Sequence, residues 1–352
     1  MTELAELLKQ LISAPGLSGY ETPVRELIRK AWEPLTDEIT ISRIGSLAGL
    51  KRGSGIEPRS SILLSAHMDS IGLMVTGVVD NFLRLTEIGG IDPRVLPGQF
   101  VTIHGRQDLP GVIVQPPDRL LPENLKNNPI PLEYLLVDSG LTPAETQRLV
   151  RSGDLVSFAQ APLELSEEYL SGHSLDNRAS VAAVTHCLEL LQGRKHNWDV
   201  WALASVQEEE TLGGARTSAY ELRPQLAVAI DVTFAKSPGA NDYKTFPLGK
   251  GPTLGWGPNI HPLVHNKFKE LADQLEIPYA VEVMPHHSGT DAHALQIVAE
   301  GIPTMVVSIP LRYMHTPVEL TTLKDIRRAG RLLAEFVARL EPDAMHQFSW
   351  EE

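Results

Sequence analysis

Four apolar runs, each ending on a charged residue or a histidine, constrain the fold of this 352-residue chain more than any other feature. They are "SSILLSAHMD", "WDVWALASVQ" leading into "EEE", "QLAVAIDVTFA", and "PTMVVSIP" leading into "LRYMH". A run that is apolar at successive positions must be covered on both faces, as a central strand of a parallel sheet is. Between and around these runs the apolar spacing becomes helical, in "ELAELLKQLI", "ETPVRELIRKAW", "DNRASVAAVTHCLELLQ", "ARTSAYEL", "HPLVHNKFKELADQLEI", "GTDAHALQIVAEG" and "TLKDIRRAGRLLAEFVARL", with a further strand at "YAVEVMP". Strands alternating with helices predict an α/β fold, a mostly parallel sheet between helix layers in a three-layer α/β/α arrangement.

That rhythm stops between residues 71 and 163. There "IGLMVTGVVDNFLRLTEIGG", "GQFVTIHG", "LPGVIVQPP", "YLLVDSG" and "GDLVSFAQAP" are short β-like runs broken by Gly, Pro and Asp, with one helix at "TPAETQRLV". We expect a small β-rich domain over 71–163, inserted into a catalytic domain made of residues 1–70 and 164–352. The stretch "DRLLPENLKNNPIPLE" reads as a mobile loop within it.

Composition narrows the partners. A net charge of −13 leaves no cationic footprint for nucleic acid and disfavours anionic membrane surfaces. The single cysteine, Cys187, lies in a helical apolar pattern and reads as a small buried hydrophobe; no intrachain disulfide can form. The N-terminal segment lacks the pattern of a signal peptide, and no window is long and apolar enough to span a membrane, so the expected location is the cytoplasm.

In open α/β sheets, ligands collect beyond the C-terminal ends of the strands. The polar residues expected there are His67 and Asp69, then Glu208, Glu209 and Glu210, then Asp231 and His315. Asp176 opens the helix that follows the insert. Each has a plain reading: a charge run, a turn residue, a helix cap. Jointly they form a nitrogen and oxygen donor set, without thiolate, suited to zinc, cobalt or manganese. Asp69 could orient His67 by accepting its second N–H. His286 and His287 are adjacent in a turn and diverge; His104 belongs to the insert and reads as a surface residue.

The motifs "PGLSGYE", "AHMDSIGLMV", "IGGIDPRVLPGQ", "LDNRAS", "VQEEETLGGA", "AIDVT", "GTDAHA" and "IPLRYMHTPVE", in this order, resemble the metallopeptidase family 42 aminopeptidases, among them glutamyl, deblocking and tetrahedral (TET-type) enzymes. The resemblance implies a metallo-aminopeptidase with two divalent metal ions, zinc or cobalt, on an α/β/α domain interrupted by a β-barrel-like, PDZ-resembling insert that serves oligomerisation. It makes His67 and Asp231 ligands of one ion, Glu209 and His315 ligands of the other, and Asp176 the bridge. Glu208 becomes the general base, and Asp69 orients His67. It also implies peptide substrates with a free N-terminus and a homo-oligomer, either a TET-type dodecamer or a dimer. The chain departs from the family's pattern at Ser46, Asp118, Glu210 and Thr211. Adjacent side chains diverge on a strand or a helix, which suits separate tasks for Glu208 and Glu209; Glu210 reads as a solvated charge whose loss should cost little.

Two other readings compete. Paired carboxylates also serve a metal-independent, endoglucanase-like glycoside hydrolase, which leaves His67, Asp231 and His315 without a task. A non-catalytic assembly protein would be expected to lack a ligand or the base, and none is missing.

Overall fold

The computed structural model describes residues 2–126, 128–240 and 243–348. The apolar runs form the middle of an eight-stranded sheet. Its spatial order is Glu38–Ile41, Leu47–Lys51, Asp199–Ser205, Ser61–His67, Leu226–Phe234, Thr304–Leu311, Thr253–Trp256 and Ala280–Val283. The four runs with polar ends are adjacent and parallel, so their C-terminal ends share one edge. Every residue of Ser61–His67 and of Thr304–Leu311 is buried, as uninterrupted apolar runs require.

One face of the sheet is covered by Thr2–Ser13, Thr22–Trp32, Leu175–Leu190, Pro262–Gln274 and Leu323–Ala338. The other face is covered by Gly213–Leu222 and Asp291–Gln296. The three-layer arrangement is therefore present. Cys187 is fully buried in the core, and the indole N–H of buried Trp32 donates to Thr185 Oγ1 at 2.8 Å.

Strands absent from the sequence reading lie mainly at the margins. Glu38–Ile41 and Leu47–Lys51 form an antiparallel edge, and Thr253–Trp256 joins Thr304–Leu311 antiparallel. The helix expected over "GTDAHALQIVAEG" is shorter, Asp291–Gln296. The chain reverses just beyond it, through left-handed conformations at Ala299 and Gly301.

Six antiparallel strands, from Gly72–Val79 to Leu155–Phe158, close into a barrel. Its interior is a separate core that includes Leu73, Leu83, Ile103, Ile113 and Val137. His104 is not a free surface group: Nδ1 lies 2.8 Å from Asp108 Oδ1 and Nε2 lies 2.8 Å from Ser157 Oγ. The stretch read as a mobile loop carries three short 3-10 turns, Asp118–Leu120, Glu123–Leu125 and Leu132–Tyr134; its Asn127 lies outside the described residues. The chain leaves the barrel through a hairpin, Leu163–Ser166 and Tyr169–Gly172, which pairs with Glu319–Thr322. Among the described residues no helix is long and apolar enough to cross a membrane.

Candidate active site

The parallel strands deliver His67 and Asp231 to one edge, on one face of the sheet. Ser65 pairs with Ala229, so His67 and Asp231, each two residues further on, point the same way. His67 Nε2 lies 3.8 Å from Asp231 Oδ1, 3.7 Å from Glu208 Oε2 and 3.2 Å from Asp176 Oδ1. The second oxygen of Asp176 faces the other imidazole, with Oδ2 3.5 Å from His315 Nε2. His315 Nε2 is also 3.4 Å from Glu209 Oε2. All the residues singled out as metal ligands or base therefore meet in one place.

Asp176 does not act as a helix cap. It lies inside Leu175–Leu190 with non-helical backbone angles, and its carboxylate points at the two histidines. The neighbouring Asn177 donates from Nδ2 to Ile230 O at 2.9 Å and ties this turn to the strand bearing Asp231.

Glu208 and Glu209 begin a one-turn helix, Glu208–Thr211, entered through Gln207 in the left-handed conformation. They thus diverge by a helical step. Asp69 holds this turn, accepting from Glu208 N at 3.0 Å and Glu209 N at 3.2 Å. Its carboxylate is 3.5 Å from His67 Nδ1, and its main-chain carbonyl is closer, at 3.2 Å. The main-chain carbonyl and one carboxylate oxygen of Asp69 thus face His67 while the carboxylate caps the glutamate turn. Glu21, from "PGLSGYE", supports the same turn by accepting from Gln207 N at 3.2 Å. The second glycine of "LGG" is required sterically: a Cβ on Gly214 would lie 2.3 Å from Val206 O.

Glu210 is exposed, as a solvated charge would be, but it has a definite partner. Its Oε1 accepts from Gly89 N at 2.6 Å, in the segment that leads into the barrel interior. The next residue, Gly90, offers its carbonyl to His315 Nδ1 at 2.7 Å. A proton on Nδ1 leaves Nε2 as a free donor, the tautomer a metal ligand needs.

Sequence reasoning assigned no role to Glu319, Arg178 or Asp291. Glu319 accepts from His315 N at 2.9 Å and from Asp176 N at 3.1 Å, one oxygen to each. Fully buried Arg178 donates to the carbonyls of Leu11, Ala14, Gly16 and Met68, which fixes the backbone between His67 and Asp69. Asp291 accepts the hydroxyls of Ser65 and Ser205 at 2.6 Å each. All three lay inside quoted motifs, but their partners are more than eighty residues away, apart from the four-residue step from His315 to Glu319. The exposed His286 and His287 take no part.

The electrostatics ask for positive charge. Burial, opposed by His67, pushes the Glu208 carboxyl up to about 10. Burial also drives Asp231 well above the usual carboxylate range. Burial works against protonating His315, yet Asp176 and Glu209 carry its pKa up to about 11. Donor atoms of His67, Asp176 and Glu209 lie within 4.8 Å of one another, as do those of His67, Glu208 and Asp231. Buried carboxylates converging on two imidazole nitrogens fit divalent cations, which neutralise the carboxylates and accept both nitrogens.

Comparison with known proteins agrees. The sequence pattern of the M42 glutamyl aminopeptidases matches residues 45–332. A lysyl aminopeptidase from Pyrococcus furiosus is 36% identical over 345 residues, covering 96% of this chain and 97% of that protein. A TET aminopeptidase from a marine sediment archaeon of the Thaumarchaeota superposes with a TM-score of 0.93 at 28% identity, covering 99% of both chains. The TET1 peptidase of Pyrococcus horikoshii, which can assemble into a tetrahedron or a large octahedral shell, gives 0.83 at 32% identity, over 96% of this chain and 100% of its own.

Proposed function

Since this chain belongs to the M42 glutamyl aminopeptidase family, a family of peptide-bond hydrolases, we propose that its site is a binuclear metal centre that removes N-terminal residues from peptides. The observation that carries the reading is the carboxylate of Asp176, with one oxygen toward His67 and the other toward His315. His67 and Asp231 would hold one ion and Glu209 and His315 the other, with Asp176 placed to contribute to both. Zinc and cobalt suit these donors equally. When bound, two such ions polarise the scissile carbonyl and lower the pKa of a water held at the centre.

The chain's own groups do the rest. Glu208 takes the proton of that water and passes it to the leaving amine, a contribution of roughly 10²–10⁴-fold. Positive charge nearby lowers its proton affinity from the value burial imposes, so the base is ionised near neutral pH. Glu208 also lies within reach of His67 and Asp231, so its assignment as base rather than ligand rests on the family resemblance. Asp69 keeps Glu208 and Glu209 in register with His67 through its bonds to both backbone N–H groups.

We assign residues 1–70 and 164–352 to catalysis and 71–163, with the barrel, to self-assembly in the cytoplasm. Phe100 and Leu120, 72% and 69% exposed in the insert, are apolar surface of the kind a second copy would cover. A similar TET1 structure that holds a dodecamer supports a dodecamer over a dimer.

Exhaustive dialysis against a chelator, followed by assay on aminoacyl-p-nitroanilides, tests the function. Activity should vanish and return with zinc or cobalt, with two ions bound per chain. Undiminished activity after the metal is gone would contradict it, and is what a metal-independent glycoside hydrolase would show on a β-glucan.

A further inference from the structure

The one-turn helix Glu208–Thr211 carries the proposed base at 208, a proposed ligand at 209, and at 210 a side chain that reaches across to the insert. Glu210 Oε1 accepts from Gly89 N at 2.6 Å. One residue further on, the Gly90 carbonyl accepts from His315 Nδ1 at 2.7 Å. His315 Nε2 in turn lies 3.4 Å from Glu209 Oε2. These contacts close a ring that runs from Glu209 through Glu210, Gly89, Gly90 and His315 back to Glu209. The two side chains that the binuclear reading gives to one ion are thus joined a second time, through the insert.

Two members of the ring need holding. His315 is the less enclosed of the two imidazoles, its side chain 34% exposed against 2% for His67. Its backbone is left-handed at φ +61°, a conformation that costs a residue with a Cβ. Bonds to its neighbours, more than packing, therefore fix it. One of those neighbours, Gly90, has little to determine its own position. The strand Phe82–Ile88 pairs up to its last residue, Ile88 with Gly72, and two glycines follow, the widest conformational range a chain offers. Gly89 takes φ +73°, and a Cβ there would lie 2.6 Å from Ile71 Cγ2. Glu210 gives this pair an anchor from outside the barrel, a charge-assisted bond to the first N–H.

We propose that Glu210 is a positioning residue for the ion assigned to Glu209 and His315: it pins Gly89 and Gly90 so that the Gly90 carbonyl keeps His315 within reach of an ion shared with Glu209. The proposal rests on the binuclear reading. It gives Glu210 a task where exposure alone suggests a solvated charge whose loss costs little. His67 and Asp231 are not members of the ring, so the effect falls on one ion of the two.

The experiment titrates metal-free wild type, Glu210→Ala and Glu210→Gln with zinc or cobalt against a chromophoric chelator, and repeats Glu210→Ala in the Glu209→Gln background. The wild type should bind two ions. Glu210→Ala should weaken one of them on the order of 10-fold and leave the other unchanged; the loss sits at the lower end for groups behind a metal ligand, because Glu210 acts through the Gly89–Gly90 backbone. Glu210→Gln keeps an acceptor oxygen for Gly89 N and should recover most of that loss. In the Glu209→Gln background the ion of the ring is already weakened, so the remaining ion should bind alike with and without Glu210→Ala. A loss in Glu210→Gln as large as in Glu210→Ala would overturn the proposal, because the charge and not the bond would then be acting. So would two ions weakened together, a further loss from the remaining ion in the double variant, or wild-type affinity for both ions in Glu210→Ala. Each of these outcomes leaves the binuclear reading standing. A wild type that binds fewer than two ions would overturn that reading and the proposal with it.

Discussion

Glu319 reaches the proposed metal ligands only through backbone: one oxygen fixes His315 N and the other fixes Asp176 N. A glutamine has one acceptor oxygen, so Glu319→Gln must give up one of these bonds and set its NH₂ against an N–H. Metal affinity should fall on the order of 10–100-fold, as with other groups that support ligands from behind, measured by competition with a chromophoric chelator. An unchanged affinity would mean that the His315 turn holds itself. The three adjacent glutamates show what sequence can resolve at this scale. Their divergence was legible, because neighbouring side chains cannot share a direction. The partner of Glu210 was not: Gly89 N is 121 residues away in the chain, and a backbone donor leaves no mark in a sequence.

Between the barrel and the helix that bears Asp176, the connecting segment holds half-buried His173, whose ring lies 6.5 Å from that of Phe158. Burial, with the charge of Arg178 adding to it, lowers the His173 pKa from 6.5 to about 3. The folded state therefore refuses a proton that the unfolded chain takes up. Above pH 6.5 this costs nothing; as pH falls from there toward 3, stability is lost at up to about 1.4 kcal/mol per pH unit from this group. Denaturation of His173→Gln should show a shallower acid slope over that window, and an identical slope would rule out an imidazole held neutral. The central elements were legible because strands buried on both faces are continuous apolar runs, against which a terminal His or Asp stands out. The strands Glu38–Ile41 and Thr253–Trp256 were not: each has only four residues, and the first is largely exposed, so their sequences lack that contrast.

On the scale of the whole molecule, the barrel's rim and the catalytic edge meet at Gly89 and Gly90, which touch Glu210 and His315. The proposed metal site therefore takes one of its supports, the Gly90 carbonyl at His315, from the insert. If the insert also drives assembly, light scattering should give a mass of twelve chains; a monomer at micromolar concentration would contradict an assembly role. The acidic balance and the run of family motifs were readable from sequence, and through the resemblance so was a barrel-like insert; its strand order and its contact with His315 depend on pairings between distant strands. The central claim, a base beside a ligand on a binuclear centre, is tested most directly by metal content and turnover of Glu208→Gln and Glu209→Gln, measured side by side. The account predicts that Glu208→Gln keeps two ions and loses at least about 10²-fold in kcat, while Glu209→Gln binds one ion weakly or not at all. Near-wild-type turnover in Glu208→Gln, or full metal content in Glu209→Gln, would contradict it.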